Sequence, residues 1–363
     1  MNGPANSPAS PPPASPARPE RRARVRRRFR LALLLAAPLL VGVAGELAVR
    51  SLVPLHPQGW FVAGPNPDRY YVPAPDLRYS MGGSAFVHGP LGTPQGSATP
   101  EAPAGERRLA FVGDSVCYGF FASGPENLCA RVEAGLGGGW RALNFGVPGY
   151  NAHMIAATLR EQALDFEGLA GVVYVFHEND LINATFASAR LHLPAALRRY
   201  DLPAPAYKRL LRRSALAVFL RDRLARLGSS PAPAPSAQGS ERPPSRPSSY
   251  TEALRSLMLS ATSHRRAFRA HLAGMAQACR ERSLSFALLY VPLEQSLQSD
   301  DPAYRDALAA LCAEEGVTFL DGDAALRPAR AEELYGDYSH PNGRGHELLA
   351  ERTLAWAKER LLP

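Results

Sequence analysis

The sequence predicts an α/β domain whose parallel sheet is covered by helices on both faces. Three observations carry this. Five short apolar runs, LAFV at 109–112, RALNF at 141–145, GVVYVF at 171–176, SFALLYV at 285–291 and VTFL at 317–320, lack regular polar alternation, as strands buried on both sides do. Helix-like stretches separate them at 152–165, 251–283 and 302–315, and a final helix is expected at 343–361. A chain of 363 residues, 46% hydrophobic and 20% charged, is long enough to bury the core such a sheet needs.

Residues 1–20 contain seven prolines and no core-forming run, so the first thirty residues are expected to be a disordered Pro/Arg-rich tail. Arg21–Arg30 holds seven arginines and leads into Leu31–Val49, which is apolar except for Glu46 and contains Pro38. That run approaches the ~20 residues needed to cross a bilayer. Two readings are open: a signal peptide cleaved near Ala44 or Gly45, or an uncleaved signal anchor over 31–50. The continuation past Glu46 through Leu47, Ala48 and Val49 favours the anchor. In both, the arginines stay in the cytoplasm and the rest of the chain is exported. Glu46 then lies near the outer interface, where a charge costs less than at the bilayer centre.

Residues 51–106 are rich in Pro and Gly without sustained periodicity and read as a linker, leaving 107–363 as the folded domain. One insertion interrupts it at 184–249. Its first part, 184–228, reads as helical, most strongly over Lys208–Leu227, where six arginines lie beside Leu210, Leu216, Phe219 and Leu220. A lid or packing helix and a helix lying on a membrane surface are both open there. Residues 229–249 form a low-complexity Pro/Ser linker.

The net charge of +8 is badly distributed. Residues 1–30 hold eight arginines and one glutamate, which is +7, so the remaining residues carry only +1. Net charge therefore indicates no groove for a nucleic acid. The four cysteines are too few for a disulfide scaffold and do not fall in C-x-x-C steps, which argues against a structural zinc site.

Four polar segments border the apolar runs. Gly113-Asp114-Ser115 follows the first: a serine at a strand-to-helix turn presents its hydroxyl and its own N–H at the top of the sheet, although Asp-Ser there is also an ordinary helix N-cap. Asn144-Phe145-Gly146-Val147-Pro148-Gly149 follows the second, and its glycines serve a tight turn or offer an N–H to an oxyanion. His177-Glu178-Asn179-Asp180 follows the third, where Asn179 has a side-chain N–H to give or simply caps the strand. Asp337-Tyr338-Ser339-His340 precedes the last helix. There Asp337 can hold the imidazole Nδ1–H of His340, freeing Nε2 to accept a serine proton.

Together these segments, in this order on a parallel α/β pattern, resemble the SGNH hydrolases, or GDSL esterase/lipase superfamily, over residues 107–360. The resemblance implies a three-layer flavodoxin-like fold. It implies Ser115 as nucleophile, His340 as base and Asp337 as its orienter. The oxyanion donors it implies are the Ser115 N–H, Gly149 and Asn179, Gly149 being chosen over Gly146 because it lies five residues after Asn144. The apolar run followed by E-L-A-V-R looks like the anchored bacterial members, implying a single-pass inner-membrane protein with its domain on the periplasmic side. The implied activity is hydrolysis of an acyl ester or acetylated carbohydrate without metal or cofactor. The rivals are an acyltransferase, passing acetyl to a cell-envelope polysaccharide, and a non-catalytic carbohydrate-binding protein.

Two departures bear on this. His177 stands where the third block usually has glycine, and its imidazole is expected to narrow the acyl pocket or stop catalysis. Cys117 lies two residues after Ser115, so it is a rival nucleophile, and Cys117 and Cys129 are open to either a disulfide or free buried thiols. His346 reads as a surface or packing residue, with no second ligand at metal spacing.

Overall fold

The five apolar runs become the strands of one parallel sheet in a computed structural model of the protein. It describes residues 18–52, 61–65, 68–69, 71–81, 84–92, 94, 99–182, 216, 220, 248–260 and 262–362. Ahead of the sheet lie helix α1 (Arg18–Leu52) and two antiparallel pairs, β1 (Phe61–Ala63) with β2 (Tyr71–Pro73) and β3 (Arg78–Met81) with β4 (Ser84–Val87). Strand β5 (Arg107–Gly113) runs into the single helical turn α2 (Ser115–Tyr118) and then α3 (Leu128–Leu136). Next come β6 (Trp140–Gly146), α4 (Ala152–Glu161) and β7 (Leu169–His177). After the insertion follow α5 (Ser248–Leu259), α6 (Ser263–Glu281), β8 (Ser285–Val291), α7 (Ala303–Glu314), β9 (Thr318–Asp321) and α8 (Gly343–Leu361).

The strand order is β6-β5-β7-β8-β9, parallel throughout. Counted within the sheet this is 2-1-3-4-5, the doubly wound order in which a crevice opens where the winding reverses, at the carboxyl ends of the first and third strands. Alternate strand residues face opposite ways. Val112, Tyr174 and Leu288 pack with Ile155 of α4, Phe268 of α6 and Leu308 of α7. Phe111, Val175 and Leu289 pack on the other face with Leu128 of α3 and Leu349 and Trp356 of α8. Each large apolar side chain so buried contributes roughly 1.5–3 kcal/mol.

Among the described residues strand β6 is an edge, paired only with β5. Three N–H groups on alternate positions of its outer side are bonded elsewhere. Trp140 donates to the Gly137 carbonyl, Ala142 to the Glu133 carboxylate at 2.8 Å and Gly146 to Asn144 Oδ1 at 2.8 Å.

The structure departs from the sequence reading at three places. Residues 51–106 are not simply a linker: the two strand pairs lie there, with Phe61, Tyr71, Leu77 and Phe86 buried. Strands of three or four residues are too short to leave a periodicity. The stretch 251–283 is two helices, because Thr262 caps α6 by accepting the Arg265 N–H at 3.2 Å. Helix α1 starts at Arg18, so the arginine block is helical rather than part of a disordered tail, as befits residues that favour helix and adjoin an apolar run; residues 1–17 lie outside the described residues. The expected helix over Lys208–Leu227 and the Pro/Ser linker 229–249 also fall almost wholly outside them.

Among the described residues no helix is long and apolar enough to cross a membrane. Side chains of Leu31, Ala32, Leu33, Leu35 and Val49 in the apolar run are outside that description. Leu34, Leu39, Leu40, Val41, Val43 and Leu47 are exposed along α1. Glu46, the one charge in the run, accepts the Leu216 N–H at 2.9 Å.

Candidate active site

Ser115 is the first residue of α2, directly after β5. The turn is tight for two reasons. Asp114 caps α2, its Oδ1 accepting the Val116 N–H at 2.9 Å. A Cβ at Gly113 would lie 2.6 Å from Cys117 Cβ and 2.7 Å from the Val175 carbonyl, and one at Gly146 would lie 2.3 Å from Tyr118 N. Only glycines let β5 and β6 approach α2, and β5 approach β7, this closely. Ser115 is buried, and as the first helical residue its N–H has no intrahelical acceptor.

Its hydroxyl meets two groups, His340 Nε2 at 2.9 Å and Asp114 Oδ2 at 3.2 Å. Asp337 Oδ2 and Oδ1 lie 2.8 and 3.0 Å from His340 Nδ1. A carboxylate only accepts, so Nδ1 carries the proton and Nε2 is left to accept from Ser115. Asp337 Oδ1 also accepts the N–H groups of Ser339 and His340, each at 2.7 Å. Burial pushes the Asp337 carboxyl pKa up, but the bond and charge of His340 and the two N–H groups outweigh it and hold it below the ordinary value.

The loop carrying Asp337 and His340 is fastened on several sides. Gly336 donates to the His340 carbonyl at 2.9 Å and Glu294 to the Tyr338 carbonyl at 3.1 Å. His177 supplies a further tie: its Nδ1 donates to the Val291 carbonyl at 2.8 Å, leaving Nε2 to accept the Ser339 hydroxyl at 2.8 Å. The ring is fully buried. The expected intrusion of His177 into an acyl pocket therefore does not occur; both ring nitrogens are committed to holding β8 and the Asp337–His340 loop together.

Gly149 and Asn179 follow β6 and β7, the strands on either side of β5. Gly149 is exposed at φ +80° in a turn closed by the Tyr150 N–H on the Val147 carbonyl at 3.1 Å. Asn179 is half-buried, and its Oδ1 is buried with no partner among the described residues. The structure thus joins Ser115, His340 and Asp337 by direct bonds, and places Gly149 and Asn179 at the same end of the sheet without such bonds to them.

Other residues near the site were not singled out from the sequence. Phe120 lies edge-on to His340 at 5.1 Å between ring centres, and Phe121 lies 6.1 Å away. Phe86 stacks on Tyr118 at 5.1 Å. Phe121 takes φ +60°, rare for a bulky residue. The aromatic run Tyr118-Gly119-Phe120-Phe121 was the available signal. A separate cleft of about 680 Å³, lined by Phe86, Tyr118, Glu133, Trp140 and Arg141 among others, includes none of the five site residues.

Burial also bears on the cysteines and on His346. Cys117 is fully buried and its thiol is pushed well above the ordinary value by burial and by neighbouring Cys129, so a nucleophilic thiolate is disfavoured. All four cysteines are free. His346 is not at the surface: it is fully buried, accepts the Leu128 N–H at Nδ1 at 3.0 Å, and burial brings its pKa down to about 3.

No protein-family model matches the chain, and a search among curated proteins found no match. Among solved structures it is similar to a lipase/acylhydrolase from Enterococcus faecalis, at 16% identity and a TM-score of 0.40, over 71% of this chain and 98% of that one. It is similar to a lipolytic protein of the G-D-S-L family from Desulfitobacterium hafniense, at 12% identity and a TM-score of 0.39, over 69% and 99%. A carbohydrate acetylesterase family member from Sinorhizobium meliloti aligns at 13% identity and a TM-score of 0.35, over 70% and 99%.

Proposed function

We propose that this protein is a serine ester hydrolase of SGNH type. The observation that carries the reading is the chain of hydrogen bonds from Ser115 Oγ through the His340 imidazole to Asp337 at a strand-end turn. In this mechanism Ser115 Oγ attacks the acyl carbon as His340 Nε2 takes its proton, and Asp337 stabilises the imidazolium. The oxyanion is met by the N–H groups of Ser115 and Gly149 and by the Asn179 amide. His340 returns the proton to the departing alcohol. It then deprotonates a water that attacks the acyl-enzyme, releasing the acid and restoring Ser115.

Ser115→Ala tests this. Turnover of an activated acetyl ester and labelling by a fluorophosphonate should both vanish, with the thermal midpoint almost unchanged. Label persisting on the Ala variant would move the nucleophile to another residue. The same assay, repeated with envelope-type oligosaccharides, measures how the acyl-enzyme partitions. Free acetate at a rate insensitive to the sugar marks a hydrolase, and predominant acetylated sugar marks a transferase. The non-catalytic reading rested on His177 blocking the pocket, and the buried, doubly bonded ring removes that motive.

The proposal extends to placement: a single-pass bacterial inner-membrane protein, its arginines cytoplasmic and its sheet domain periplasmic. The arginine block preceding the apolar run supports this orientation, and the row of exposed apolar side chains on α1 supports contact with a membrane. Engagement of Glu46 by Leu216 supplies a partner for the charge near the outer end of the run.

A further inference from the structure

The turn Val147–Tyr150 has proline and then glycine at its two central positions, with Gly149 at φ +80°, which makes it a type II turn. The peptide joining Pro148 to Gly149 takes no part in the bond that closes the turn. Type I and type II turns differ by a half-rotation of this central peptide, and glycine tolerates either sign of φ at little cost. The turn alone therefore leaves open which way the Gly149 N–H points. Something outside it must decide.

The Tyr71 hydroxyl donates to the Pro148 carbonyl at 2.7 Å. That carbonyl and the Gly149 N–H belong to one planar, trans peptide unit and point in opposite directions. Anchoring the oxygen therefore aims the N–H away from Tyr71. The anchor is itself held firmly. Tyr71 is buried, its ring meets Phe61 and Tyr150 edge-on at 5.1 Å each, and its own carbonyl accepts the Tyr150 hydroxyl. Burial raises its phenol well above the ordinary value, so the donor proton is kept. A Cβ at Gly149 would lie 2.8 Å from this hydroxyl, which shows how closely the two chain segments meet.

We propose that Tyr71, in the segment ahead of the sheet domain, is a positioning residue that locks the Pro148–Gly149 peptide in the orientation in which Gly149 N–H serves the oxyanion. This rests on the serine-hydrolase reading and on Gly149 as a donor. It gives the β1–β2 pair a role in the chemistry.

The test compares wild type, Ser115→Ala, Tyr71→Phe and Phe61→Leu in the full chain, with p-nitrophenyl acetate as probe. Tyr71→Phe keeps both ring contacts and removes only the hydroxyl. Its kcat should fall by about 10- to 100-fold, short of or near the loss of one oxyanion donor, with KM within about two-fold. Its pH profile should not move, because His340 and Asp337 are untouched. Phe61→Leu, which disturbs the same aromatic stack without touching the hydroxyl, should keep kcat within about two-fold. A folded Tyr71→Phe with wild-type kcat overturns the proposal, and so does an equal loss in Phe61→Leu. If Tyr71→Phe does not fold, 4-aminophenylalanine and 4-fluorophenylalanine at position 71 decide, since both fill the para position and only the first donates. Equal kcat in the two overturns it. Wild type with no Ser115-dependent turnover is a different result: it defeats the hydrolase reading and takes this inference with it.

Discussion

Asp180 is fully buried, accepts Tyr174 Oη–H at 2.9 Å and the His177 N–H at 3.2 Å through one oxygen, and has no partner for the other among the described residues. Burial first, and then the charge of Asp114, push its pKa well above the ordinary value. A carboxyl raised by folding binds its proton more tightly in the native state, so stability falls as pH rises from the unfolded value of about 3.9 towards the folded one. Asp180→Asn, which cannot ionise, should raise the thermal midpoint at pH 8 by at least about 2 °C. That gain should shrink towards zero near pH 4, and an equal gain at both values would show that Asp180 ionises normally. The meeting of Ser115, Asp337 and His340 was legible through the family resemblance, whose short polar segments each lie beside a strong strand or helix signal. The task of His177 was not, because its two partners lie 114 and 162 residues away. The sequence shows the side chain that stands in place of a glycine but not the loop it fastens.

Elements were legible in proportion to their length and burial. The five sheet strands stand out as apolar runs without regular polar alternation because both faces of the sheet are covered. The pairs β1–β2 and β3–β4 carry no such pattern; aromatic docking of single residues such as Tyr71 and Phe86 holds them in place. Between these extremes lies α2, a single turn whose position depends on what the neighbouring strands lack. Gly146→Ala would drive a methyl into the Cys117–Tyr118 backbone, which has no flexible end to move aside. The substitution should cost about 2–3 kcal/mol by chemical denaturation, and should lower ester turnover with it, since α2 holds Ser115. A full-stability variant would mean that β6 and α2 are not in this contact in solution.

Across the whole molecule, the winding reversal between β5 and its neighbours gathers four distant segments at one end of the sheet, with 225 residues separating Ser115 from His340. The proposed orientation of the chain is checked by fusing, after Pro363, a reporter active only outside the cytoplasm. It should be active, and replacing the seven arginines of 21–30 with glutamine should reduce that activity by weakening the topological signal. An inactive reporter on the unaltered chain would reverse the placement. The bonding of β6 has a consequence for solubility. An open sheet edge invites a strand from another molecule, because its donors await acceptors. Here Glu133 occupies one such donor and places a carboxylate on the rim, while Asn144 and the Gly137 carbonyl take two more. At the opposite rim β9 has only four residues, too few to template a long ladder. The sheet therefore ends in borders that discourage intermolecular growth, so copies of this domain crowded side by side have little means of joining edge to edge into a fibre.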